Sequence, residues 1–87
     1  MDYIMLRVGD KVALVEDFNN EPGIIPAGTM GKVTHIDNDS PVAPLVYVRF
    51  SDLRDFNLSE RVRVMNYEVG LPMYSEEIER VYAYPLI

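Results

Sequence analysis

Gly9-Asp10-Lys11-Val12-Ala13-Leu14-Val15, followed by Ile25-Pro26-Ala27-Gly28-Thr29-Met30-Gly31-Lys32-Val33-Thr34-His35-Ile36, points to a small β-sheet protein. In each half a glycine turn launches a short apolar run with the two-residue period of a strand buried on one face. Between the halves, Phe18 to Gly28 carries Asn19, Asn20, Pro22, Gly23 and Pro26. That density of turn formers excludes a helix and an interior strand, and marks a long loop. One of Ile24 and Ile25 is expected to fold back from it onto the core. Gly31, inside the second run, marks a bulge or a close backbone approach.

Outward from this stretch the alternation repeats. Asp37-Asn38-Asp39-Ser40-Pro41 is a turn signal, and Leu45 to Phe50 is the clearest strand, with Val46, Val48 and Phe50 opposite Leu45, Tyr47 and Arg49. Residues 51 to 60 read as a connection pinned by Leu53, Phe56 and Leu58. Arg61 to Glu68 alternates again, Val62, Val64 and Asn66 against Arg61, Arg63 and Met65, and predicts a fourth strand with one exposed side. After Gly70 and Pro72, Ser75-Glu76-Glu77-Ile78 predicts a helical turn capped by Ser75, followed by a last strand that ends at Pro85. The expectation is an all-β chain with five strands near residues 11 to 17, 30 to 37, 45 to 51, 61 to 68 and 80 to 84. A long loop after the first strand and a helical turn before the last give the layout of a small SH3-like barrel. Val12, Leu14, Val33, Ile36, Val46, Val48, Phe50, Val62, Val64, Ile78 and Val81 are the predicted core.

Within that layout, Gly9-Asp10-Lys11-Val12, Ile25 to Val33 and Val46-Tyr47-Val48-Arg49-Phe50 resemble a group of SH3-like barrels found in the nitrile hydratase beta chain and in the E-type accessory protein of photosystem I, over residues 8 to 50. The resemblance implies that fold and the group's tendency to dock onto larger partners, and nothing finer.

With 87 residues the chain has room for a single domain, residues 1 to 87, and one modest core. It contains no cysteine, so no disulfide or thiolate metal site supports that core. Met1-Asp2-Tyr3 lacks the basic start of a signal peptide, and no apolar run is long enough for a membrane helix, so the expectation is a soluble, cytoplasmic protein. Fourteen acidic residues against eight basic ones give a net charge of −6, which repels a phosphate backbone at long range and makes nucleic acid a poor partner.

Chemistry-bearing residues are sparse. His35 is the single histidine, too little for a triad or a multi-histidine metal site. Asp37-Asn38-Asp39 has the start of a calcium loop, but Pro41, Val42 and Val48 stand where a ligand, a glycine and the bidentate glutamate belong. Glu76, Glu77 and Glu79 sit where local amide dipoles favour carboxylates without catalysis. No catalytic residue, metal or cofactor is therefore expected, and the chain reads as non-enzymatic.

The functional signal is aromatic. Phe18, Tyr67, Met73, Tyr74, Tyr82 and Tyr84 fall outside the expected inward positions, and tyrosine combines a large apolar face with a polar tip suited to interfaces. They predict a protein-binding or self-association surface on an accessory or regulatory domain. Two alternatives accompany it. One is a nucleic-acid-associated barrel using a basic stripe of Arg49, Arg61 and Arg63 with Lys32, and Tyr47 and Tyr67 nearby for stacking. The other is an accessory subunit or activator of a larger enzyme.

Overall fold

The computed structural model describes residues 6–20, 23–39, 44–53 and 56–81. Among them the elements are β1 (Lys11–Leu14), β2 (Phe18–Asn20), β3 (Gly23–Ile25), β4 (Met30–Asp37), β5 (Leu45–Phe50), α1 (Glu60–Glu68), β6 (Leu71–Tyr74), a 3₁₀ turn at Ser75–Glu77, and β7 (Ile78–Arg80). The chain is mostly strand. The two runs that open the sequence pair with each other, Val12 opposite Gly31 and Ala13 opposite Met30, and the antiparallel sheet built around them has the order β6-β5-β4-β1-β7. Its inward positions supply Val12 and Leu14, Val33, Val46, Val48 and Phe50, Leu71 and Met73, and Ile78. Ile25, Leu53, Leu58 and Val62 pack onto them from outside the sheet.

The loop after β1 is shaped as a hairpin, β2 against β3, in a separate two-stranded sheet. It lies so close to the connection after β5 that a Cβ on Gly23 would sit 2.2 Å from the Asn57 carbonyl oxygen. Ile25 is the isoleucine that folds back, fully buried, while Ile24 is exposed. Asp17 fastens the hairpin base, its Oδ1 accepting from the Ala27 N–H at 2.8 Å.

Residues 61 to 68 are not a strand but the core of α1. The local helix signals outweigh the alternation over residues 61 to 66. Ser59 stands at the N-cap, its Oγ accepting from the Val62 N–H at 3.3 Å, and Glu60 adds an acidic first turn. At the other end Gly70, at φ +110°, turns the chain out, and the Val69 and Gly70 N–H groups both donate to the Met65 carbonyl at 2.9 and 2.8 Å. The helix buries Val62 and Asn66, four residues apart, and leaves Val64 exposed, so Val64 is not core. Ile36 and Val81 are half-buried.

The fifth strand of the large sheet is instead β6, in the segment where Gly70 and Pro72 mark a break. Pro72 is tolerated because β6 is an edge. β1 ends at Leu14, short of the expected residue 17. β7 starts at Ile78, and the rest of the expected last strand, residues 82 to 84, lies outside the described residues. The 3₁₀ turn falls where a helical turn is expected, but Glu77, not Ser75, fastens it: Glu77 Oε1 accepts from the Tyr74 N–H at 2.8 Å.

Three polar side chains hold α1 and its C-terminal end against the sheet and the connection after β5. Asn66 takes the place of a strand neighbour at the end of β5, its Oδ1 accepting from the Phe50 N–H at 2.8 Å and its Nδ2 donating to the Phe50 carbonyl at 3.0 Å. Arg63 donates from Nη1 to the Leu53 carbonyl at 2.9 Å and from Nη2 to the Phe56 carbonyl. The Thr34 hydroxyl, at the bulge in β4, lies within hydrogen-bond distance of the Val69 and Tyr47 carbonyls. Among the described residues no helix is long and apolar enough to cross a membrane.

Candidate binding face

Side chains alternate across a strand, so the positions between the core residues form the outer face of the sheet. Register decides what meets there. Lys11 on β1 stands opposite Lys32 on β4, and Lys32 stands opposite Arg49 on β5, which lines up three exposed cations across three strands. Strand spacing makes this row about 10 Å from end to end. Like charges directly opposite repel, and among the described residues no carboxylate forms an ion pair with any of the three. Asp10 and Arg80, by contrast, pair at 3.1 Å and tie β7 to the turn before β1.

The surroundings extend the row in two directions. Met30, half-exposed, and Ser51 line a hollow with Lys11, Lys32 and Arg49. Arg49 and Ser51 also line a second cleft, with Leu53, Arg63 and Tyr67, so the track continues from the sheet to the outer side of α1. On its far side the rings of His35 and Tyr47 meet in a tilted contact with centroids 5.5 Å apart, and Pro72 stands opposite Tyr47.

Two of the six residues of the expected aromatic surface pack against the core. Met73 is fully buried, because it faces inward with Leu71 on β6. Phe18 begins β2 and is half-buried against the core. Met73 is therefore not a surface side chain. Tyr74 is 41% exposed at the end of β6 and Tyr67 79% exposed on α1, while Tyr82 and Tyr84 lie outside the described residues. Tyr67 shares a cleft with Arg49 and Arg63.

The arginine set also divides. Arg49 is in the row. Arg61 and Arg63 would share a strand face, but on a helix two residues are about 200° apart. Arg61 therefore lines a different groove, with Phe18, Met65 and Pro72, and Arg63 is engaged with two carbonyls. Lys11 was the residue that sequence reasoning missed. Its outward position in β1 follows from the two-residue period, but its meeting with Lys32 needs the pairing register.

The face offers cations and a tyrosine for binding. Among the described residues no group of three or more His, Asp or Glu side chains converges into a metal-sized cluster. Asp37-Asn38-Asp39 opens the β4–β5 hairpin loop, where Asp37 Oδ1 accepts from the Asp39 N–H at 2.9 Å. Comparison with protein-family models, with curated proteins and with solved structures finds no match.

Proposed function

We propose that the chain is a non-enzymatic, cytoplasmic protein-binding domain, an accessory factor built as a five-stranded SH3-like barrel, and that it docks through the outer face of its sheet. The order β6-β5-β4-β1-β7, the hairpin after β1 and the 3₁₀ turn before β7 support that layout. The observation that carries the function is the Lys11–Lys32–Arg49 row. An acidic domain that sets three cations side by side without a carboxylate between them holds a surface that a partner's charge would complete. Tyr67, at the end of the track, supplies the rigid aromatic anchor that protein interfaces favour.

Site-specific photo-crosslinking in host cells tests this reading, with the reactive side chain placed at position 32, 49 or 67 and, as a control, at the exposed Val8. Discrete protein adducts at the first three positions and not at the fourth are expected. Adducts with nucleic acid at those positions would replace the reading by the nucleic-acid alternative. Equal labelling at all four would remove the face from consideration.

A further inference from the structure

We infer that the element taken by the Lys11–Lys32–Arg49 row is an acidic peptide segment of the partner protein, held in extended form across β1, β4 and β5; the inference rests on the protein-binding reading above. Three features select this occupant. The first is length: a row of about 10 Å matches two or three carboxylates on alternate residues of an extended peptide, which lie about 7 Å apart on one side. Lysine stems take up the difference in spacing.

The second feature is the mixture of cations. Arg49, at the end nearest α1, offers a planar fork that a carboxylate can meet with two hydrogen bonds, whereas Lys11 and Lys32 act as adjustable point charges. Beside them the exposed Met30 provides an apolar contact for the peptide's intervening side chains, and Tyr67 lies where the segment would leave the sheet toward α1.

The third feature is what surrounds the row. The whole chain carries a net charge of −6, so a long polyanion running beyond the three cations meets a repelling surface, while a short acidic segment ends before it. His35 and Tyr47 are packed against each other beside the row, which makes them a poor platform for successive bases.

The test is an amide-shift titration of the full chain with the peptide Glu-Gly-Glu-Gly-Glu, its Gln-for-Glu counterpart and a short oligothymidylate. The Glu peptide is expected to move the signals of Lys11, Lys32 and Arg49 and to bind at least about tenfold more weakly to Lys32→Glu and Arg49→Glu, whereas Arg61→Glu changes affinity less than about twofold. Raised salt should weaken binding further, because the pairs are exposed. The Gln peptide should leave the signals in place. The dispersed spectrum of each variant reports its folding, and Lys32→Gln replaces any charge reversal that unfolds the domain.

Absence of Glu-peptide shifts on the row overturns the inference, while protein adducts in the crosslinking experiment would leave the protein-binding reading standing. Tighter binding of oligothymidylate on the same signals overturns both. Concentration-dependent dimerisation abolished by Lys32→Glu would assign the row to a second copy of the chain and overturn the acidic-peptide assignment.

Discussion

Asn66 shows how one side chain sets the position of an element. Its carboxamide offers an acceptor and a donor with the spacing of a peptide group, and it uses both on Phe50 at a buried site where water cannot replace them. Asn66→Ala leaves the Phe50 N–H and carbonyl without those partners, and should cost about 2 to 4 kcal/mol, read as a lower urea midpoint at unchanged slope. A loss under about 0.5 kcal/mol would show that the Asn66 bonds do not set the position of α1. Gly31 acts through the absence of a side chain. A Cβ there would lie 2.6 Å from Val48 Cγ1 and 2.7 Å from the Arg49 carbonyl oxygen, and that oxygen cannot retreat without disturbing the β4–β5 pairing. Gly31→Ala should therefore destabilise the domain by about 1 to 3 kcal/mol in thermal or urea unfolding, although alanine ordinarily favours an ordered chain over glycine.

At the scale of elements, α1 and the strand pairs make opposite demands on similar residues. The helix buries Val62 and exposes Val64, so Val62→Ala should cost about 1 to 3 kcal/mol while Val64→Ala is neutral or slightly stabilising, since alanine has the higher helix propensity. Equal losses at the two positions in urea unfolding would fit a strand instead. In β6 the alternate positions 72 and 74 share one edge: Pro72 has no N–H, and the Tyr74 N–H is taken by Glu77. That edge is poorly suited to recruit another strand. The β1–β4–β5 ladder tolerates its row of cations at the expense of stability. Lys32→Glu turns two like-charge pairs into two opposite-charge pairs and should stabilise the domain by about a few tenths of a kcal/mol in low salt, read as a small rise in melting temperature. A lowered melting temperature would show that the lysine stem, not its charge, matters at this position.

Across the whole molecule a small core must stabilise a chain with neither disulfide nor cysteine ligand. Val48 lies at its centre, fully buried, with its atoms against the Cβ sites of both Gly31 and Gly70. Val48→Ala should cost about 1 to 3 kcal/mol, a large fraction of what a domain of this size possesses, and calorimetry should show it as a fall in melting temperature of several degrees. A loss below that range would mean that the neighbouring strands close over the missing methyl groups.

Already legible in the sequence were the strand positions in the first half of the chain, the inward residues of β1, β4 and β5, the anchoring of the 51 to 60 connection by Leu53 and Leu58, and the return of one isoleucine from the loop. These follow from two-residue periodicity and glycine placement, which act locally. Residues 61 to 68 read as a strand because a short alternation of valine and arginine imitates one as readily as it fills a helix, and the Ser59 cap and the Gly70 exit emerge only with the structure. Tertiary contacts alone place Asn66 inside, set Met73 and Phe18 against the core, and bring Lys11, Lys32 and Arg49 into one row. Each depends on a register or a packing contact between residues far apart in the chain, where a shift of one position would send the same side chain to the opposite face.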